Sequence, residues 1–192
     1  MPAGGGRTTS PADVERLLAA SVNCPRTSSA GRLFDAVAAM LDLCSVAEYE
    51  AQAAIRLEAS VDGTVGDHYP YLVHRQAAPW VLDFGPALRR VLEEKAEGVR
   101  LGAIAARFHN TVAAAVAATV ANLTTQHRIR DVALCGGVFQ NRFLLEAVSQ
   151  QLEDAGLTVR VNSLVPANDG GVSLGQAAVA VARIAEGLSS CA

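Results

Sequence analysis

Three short clusters in this 192-residue chain carry side chains suited to chemistry. The sharpest is Leu134-Cys135-Gly136-Gly137-Val138-Phe139-Gln140-Asn141. The apolar run from Asp131 to Leu134 reads as a buried strand that stops at two glycines. The spacing of Phe143, Leu144, Ala147, Val148 and Leu152 predicts a helix directly afterwards. Such a turn lets backbone approach a ligand closely, and it aims the free N–H groups of a helix N-terminus at a phosphate or other anion. Glycine turns also join strands to helices where no ligand binds, so both readings stand. Cys135 stands in no defined relation to any histidine, which argues against a thiol nucleophile.

The second cluster is Pro166-Ala167-Asn168-Asp169-Gly170-Gly171. Asn or Asp at a helix start usually caps it, which is the plain reading. The glycines nevertheless leave the Asp169 carboxylate uncrowded, at the carboxyl end of a predicted strand where open α/β sheets bind ligands. A carboxylate there suits a hard cation. One carboxylate makes no metal site, and no H-x-x-x-H or H-E-x-x-H pattern occurs in the chain. The third cluster, Gly31-Arg32-Leu33-Phe34-Asp35, lies in a predicted helix. Asp35 could serve a ligand or simply face solvent, and helix periodicity alone decides nothing.

The elements that must position these residues follow from pattern. Residues 1–9 read as a flexible leader. Ser10 and Pro11 form a helix start, as cap and first helical position. A second helix is expected from Ser28 or Ser29, with Leu33, Val37, Met40 and Leu41 on its apolar face. A third is expected from about Val46 to Ala59. A short hairpin pairs Tyr71–Val73 with Trp80–Leu82. Helices follow at Gly85–Ala96 and Leu101–Leu123, then strand 131–135, helix 140–154, strand 157–161, loop 162–168 and helix 170–185. Strand–helix–strand order implies parallel pairing. Gly156 and Gly187 sit where C-caps belong. No internal segment reads as a linker, so residues 10–187 are expected to form one domain, with 188–192 as a tail.

Composition narrows the classes. The chain is 51% hydrophobic, enough to bury a core. A net charge of -3 without a basic cluster argues against nucleic acid as a partner. Polar residues interrupt the alanine-rich runs before about 18 residues, so no membrane association is expected. The N-terminus lacks the apolar core of a signal peptide, and a cytoplasmic protein is expected. Cys24, Cys44, Cys135 and Cys191 form no C-x-x-C pair, and free, mostly buried thiols are expected. His68 and His74, six apart, do not share a helix face and read as surface or loop residues.

Six segments in order carry a resemblance: Asn-Cys-Pro-Arg-Thr-Ser-Ser (23–29), Gly-Arg-Leu-Phe-Asp-Ala-Val-Ala-Ala (31–39), Tyr-Glu-Ala-Gln-Ala-Ala (49–54), Phe-His-Asn-Thr (108–111), Gly-Gly-Val-Phe-Gln-Asn (136–141) and Asn-Asp-Gly-Gly-Val-Ser-Leu-Gly-Gln (168–176). Together they resemble the HypF carbamoyltransferases, which mature [NiFe] hydrogenases, over residues 20 to 186. The resemblance implies an α/β fold: the C-terminal lobe of a TsaD-like carbamoyl-transfer domain of the actin/Hsp70-like (ASKHA) class. That lobe would have a small, mainly parallel sheet and many helices, and it would be incomplete without an N-terminal lobe. It implies that carbamoyl phosphate is cleaved, that ATP activates the carbamoyl group as carbamoyl-adenylate, and that the group passes to the C-terminal cysteine of a HypE-like acceptor. A separately encoded N-terminal HypF portion is a further implied partner.

Carried over by position, Asp35 matches an aspartate that contacts the nucleotide ribose. Gly136, Gly137 and Asn141 match the other side of the nucleotide pocket, and Asp169 matches a metal-ligand aspartate. The divalent metal, iron or zinc, would be completed by histidines that this chain lacks. Three departures stand out. Ala51 replaces a glycine of the family pattern, at a cost of roughly 1 kcal/mol if φ is positive there. Cys135 replaces a serine, and Asn162-Ser163 replaces a His-Arg pair. The alternative is a catalytically silent remnant or interaction module that keeps the nucleotide-binding fold. A stand-alone flavodoxin-like binder fits less well, because too few strands are present. A lobe without its partner should also expose an apolar patch of roughly several hundred Å² on the cleft side.

Overall fold

The structure, a computed structural model, describes residues 10–76 and 78–187. The expected leader, the tail and Cys191 lie outside the described residues. The first helix, α1 (Pro11–Ala19), opens on a reciprocal cap in which Ser10 Oγ accepts from the Asp13 N–H and the Asp13 carboxylate accepts from the Ser10 N–H. Helix α2 (Ala30–Met40) starts at Ser29, whose hydroxyl accepts from the Arg32 N–H. It buries Phe34, Val37 and Ala38. Of the expected face, Val37 and Leu41 are buried, while Leu33 and Met40 flank it half-buried.

Helix α3 (Gln52–Ala59) is shorter than the expected Val46–Ala59. Ala51 stands at φ +61°, a left-handed conformation that no right-handed helix can run through. The buried Gln52 side chain accepts from the Glu48 N–H at 2.7 Å and so fixes the turn before the helix. Strands β1 (Leu72–His74) and β2 (Val81–Asp83) pair antiparallel with Leu72 opposite Asp83, one residue from the expected hairpin. Helix α4 spans Gly85–Ala96 as expected.

Helix α5 (Leu101–His127) is the spine and runs four residues beyond the expected end. Its Ala103, Ile104, Ala105, Phe108, Val112 and Ala113 are buried, and the small alanines let neighbouring helices approach closely. By length and composition this helix is apolar enough to cross a membrane, contrary to the expectation from its polar interruptions. In the fold, 61% of that window is buried within the chain itself.

Strands β3 (Asp131–Leu134) and β4 (Thr158–Val161) pair in parallel, Asp131 opposite Thr158 and Leu134 opposite Val161. Helix α6 (Arg142–Asp154) crosses between them and buries Leu144, Val148 and Leu152 on the expected face. A 3-10 turn over Gly137–Gln140 separates β3 from α6, and a second over Asp169–Gly171 precedes α7 (Val172–Ala185). Where a small, mainly parallel sheet was expected, the described residues form two separate two-stranded sheets, one parallel and one antiparallel. The reason is local. The β1–β2 hairpin closes on itself, and among the described residues no third strand-forming run reaches β3 or β4.

The core is helical. Phe34, Leu57, Val91, Ile104, Phe108, Leu144, Val148 and Leu152 are almost wholly excluded from water. The Phe34 and Phe108 rings meet edge to face at 5.0 Å. The thiols depart from expectation, since Cys44 is buried, Cys24 only partly so, and Cys135 exposed.

Candidate functional site

The parallel β3–β4 register brings the loops that follow the two strands to one edge. Gly136 makes the turn with φ +104°, a conformation that favours glycine. Its N–H donates to the Ala167 carbonyl at 2.7 Å, which ties the 136–141 loop directly to the 166–171 loop. On the far side stand the first turn of α2 and the start of α3. Between these walls opens a cleft of about 940 Å³, bordered by Asp35, Ala51, Glu58, Gly137, Asn141 and Asp169 among others. Segments of three clusters, the first about a hundred residues before the other two in sequence, therefore meet in one place. Gly136 shapes the turn without bordering the cleft itself.

Asp35 lies on the outer side of α2, about a third exposed, with its carboxylate 3.2 Å from the Arg32 guanidinium. Asn168 is a cap, accepting from the Gly170 N–H at 3.0 Å, so the plain reading of the Asn-Asp-Gly-Gly segment holds for that residue. It leaves the neighbouring Asp169 carboxylate exposed at the cleft. Gly171 is required by the loop itself, because a Cβ there would stand 2.7 Å from the Pro166 carbonyl oxygen.

Asn141 is buried and committed. Its carbonyl accepts from the Leu144 N–H at 2.8 Å, capping α6, and its amide donates to His109 Nε2 at 2.9 Å. His109 is fully buried on α5, and its Nδ1–H donates to the Ala105 carbonyl at 2.8 Å. Those partners fix the imidazole as the neutral Nδ1–H tautomer. Burial among Phe34, Phe108 and Phe143 pushes its pKa down to about 4. Nothing but the order of the Phe-His-Asn-Thr segment pointed to this residue. The useful signal was a histidine inside an apolar, alanine-rich helix, where a buried imidazole must find partners for both nitrogens.

Sequence reasoning also missed Glu58. Its Oε1 accepts from the Arg142 N–H at 2.7 Å and the Phe143 N–H at 3.3 Å. The N–H groups expected to be free at the start of α6 are therefore taken, two by Glu58 and one by Asn141. That overturns the expectation that this terminus lies open for a phosphate. The physical reason is distance in sequence: the capping group comes from α3, 84 residues away.

Four carboxylates border the cleft (Asp35, Glu50, Glu58 and Asp169) against one guanidinium, Arg32. Phosphate charge would thus need compensation from outside this surface. His68 and His74 are exposed, as expected, and stand away from the cleft.

Comparison with known proteins decides the family. The model described as "Carbamoyltransferase, Kae1-like Domain, second subdomain" matches residues 5–176. The chain belongs to the HypF carbamoyltransferase family. It is 39% identical over 178 residues to the carbamoyltransferase HypF of Rhodobacter capsulatus, covering 91% of this chain and 22% of that protein. It is 35% identical to a HypF homologue of Cupriavidus necator, covering 87% of this chain and 44% of the relative. A crystal structure of full-length HypF in the phosphate- and nucleotide-bound form superposes with a TM-score of 0.84 at 34% identity, covering 89% of this chain and 23% of that one. The T. kodakarensis HypF structure gives a TM-score of 0.70 at 29% identity, covering 86% and 21%. Most of these HypF relatives are thus about five times longer than the matched region.

Among the described residues, no group of three or more histidine, cysteine, aspartate or glutamate side chains could hold an ion, and Asp169 belongs to no such group.

Proposed function

We propose that this chain is the second half of an ATP-dependent carbamoyl-transfer site, working with a preceding HypF portion in the cytoplasm. Its architecture would be the C-terminal lobe of an actin/Hsp70-like domain. The observation that carries the reading is the meeting of Asp35, the 137–141 turn and Asp169 in one cleft. The similarity to a HypF structure described as phosphate- and nucleotide-bound supports it.

In this reading carbamoyl phosphate is cleaved to carbamate and inorganic phosphate, and the carbamate oxygen attacks the α-phosphorus of ATP, releasing pyrophosphate and leaving carbamoyl-adenylate. The thiolate of a HypE-like acceptor's C-terminal cysteine then attacks the carbamoyl carbon, AMP departs, and a thiocarboxamide remains. Asp35 accepts hydrogen bonds from ribose hydroxyls, a role open to a carboxylate whose partner among the described residues is the exposed Arg32 guanidinium. The Gly137 turn allows the protein backbone to approach the nucleotide phosphates closely. Asp169 is the residue of this chain that would hold an iron or zinc ion, together with histidines of a preceding HypF portion, and the ion would supply Lewis-acid stabilisation of phosphate charge. The excess of carboxylates in the cleft fits a half-site whose positive charge comes from the missing portion.

Calorimetry of ADP and ATP tests this, with the chain alone and with the first subdomain supplied as a second polypeptide. Saturable binding in the two-part sample is expected, and no binding in either sample overturns the reading. The second reading, a silent remnant, is favoured by one observation, the alanine at a left-handed cleft position. In the reconstituted protein, Asp169→Ala should lower carbamoyl transfer by at least about tenfold if the oxygen supports a metal. An unchanged rate favours the silent remnant or a metal ligand other than Asp169.

A further inference from the structure

Helix α6 has the location expected of a phosphate cradle, directly after a Gly-Gly turn and at the border of the cleft. Its first N–H groups are nevertheless all engaged. Arg142 and Phe143 donate to Glu58, Leu144 donates to the Asn141 side chain, and Leu145 donates to the Asn141 carbonyl. Glu58 places a full negative charge on the positive end of the helix dipole, where a phosphate would otherwise gain the same attraction. The Arg142 side chain is turned away to Glu146 at 2.6 Å and leaves the Glu58 charge to the backbone N–H groups.

The supports behind this arrangement are rigid. Asn141 cannot rotate to release Leu144, because its amide is held by buried, neutral His109. Glu58 is carried on α3 by Leu57, which is completely buried. The contact also bridges the two walls of the cleft, α3 on one side and α6 on the other.

We propose that Glu58 is a specificity-determining residue: a built-in anion that closes the α6 N-terminus to phosphate and confines the phosphate end of a bound nucleotide to the wall formed by Gly137 and Asn168–Gly170. Glu58 then presents its remaining lone pairs to the nucleoside end, whose hydroxyl and amino groups donate. The inference rests on the nucleotide reading of the cleft, but its central step concerns inorganic phosphate alone.

The experiment follows backbone amide signals of the full chain by NMR during titration with inorganic phosphate, for the wild type, Glu58→Ala and Glu58→Gln. In the wild type, the Arg142 and Phe143 amides should not respond. In Glu58→Ala they should shift saturably, with an apparent affinity at least about tenfold above any wild-type response. Glu58→Gln keeps the capping carbonyl without the charge and should give a weaker saturable response at the same amides. It carries the test if the alanine variant does not fold. A phosphate response at Arg142 and Phe143 in the wild type overturns the inference, because phosphate would then displace Glu58. So does a response in neither folded variant. ADP titration of the two-part protein, followed at Gly137 and Gly170, reports separately on the nucleotide reading. Loss of that signal with the phosphate pattern intact removes the reading and not the role of Glu58 at the helix.

Discussion

From Phe34 to Leu152 the chain builds a dense helical core, whereas from Glu153 to Gly187 not one described residue is fully buried. The two regions have similar apolar content but opposite packing. Helix α7 exposes Val172, Leu174, Val179, Val181 and Ile184, with Ile184 75% exposed. The cleft runs along the boundary between them. One wall, formed by α2 and α3, is anchored in the core. The other, the 166–171 loop, is tied by the Gly136–Ala167 hydrogen bond and stabilised within itself by Asn168. A binding site divided in this way has one preformed side and one side that still lacks its support, which suits a half-site better than a complete pocket.

The largest expected effect tests the packed side. Phe108 is fully buried and stacks edge to face on Phe34 and His109. Phe108→Ala should cost about 3–5 kcal/mol, read from the shift of the urea midpoint. A loss below about 1 kcal/mol would mean that the core is not packed as described.

His109 sharpens the same side through pH. Its folded pKa, about 4, lies below the ordinary 6.5, so the unfolded chain binds a proton between these values while the folded chain does not. Stability from this group is therefore complete above pH 6.5 and falls as pH drops towards 4, by up to about 3 kcal/mol. His109→Gln should be less stable than wild type at pH 8, with the gap narrowing between pH 6.5 and 4. Urea melts of both proteins across that range check this, and a constant gap would contradict a neutral buried imidazole.

The same contrast explains what the sequence revealed. Helices α4, α5 and α6 and the β3–β4 pair were legible because hydrophobic periodicity and glycine punctuation are local signals. The convergence of residues 35, 137 and 169 was legible only through the order of the motifs, with parallel pairing placing the two loops together. The Glu58 cap was not, since nothing local links α3 to a helix 84 residues away. The late start of α3 was hidden as well, because alanine at Ala51 reads as a helix former while its backbone is left-handed. The exposure of α7 left no local trace either, since the expected apolar patch of an unpartnered lobe was tied to the cleft side, which α7 does not border. Its alanine- and valine-rich pattern is what a buried helix would show.

Ala51 lies on the boundary and gives a smaller effect. At φ +61° and ψ 9° an L-residue is strained, and glycine would relieve that strain. Ala51→Gly should stabilise the chain by about 1 kcal/mol, less the extra freedom glycine gains when unfolded. Thermal and urea unfolding provide the measure, and destabilisation would show that the left-handed backbone is not what residue 51 adopts.

The smallest expected effect comes from the unpacked side, and it bears most directly on the contrast between the two regions. Val181 is 67% exposed and Ile184 75% exposed, so removing their methyl groups takes little area out of contact with protein. Valine and serine also differ little in helix propensity. Val181→Ser and Ile184→Ser should therefore each change the stability of the isolated chain by no more than about 0.5 kcal/mol. The same substitutions in the two-part protein should weaken assembly, because only there does α7 gain a surface to cover. A loss above about 1 kcal/mol in the isolated chain would mean that α7 already packs on its own core. The cleft would then have two supported walls, and the case for a half-site would lose its structural basis.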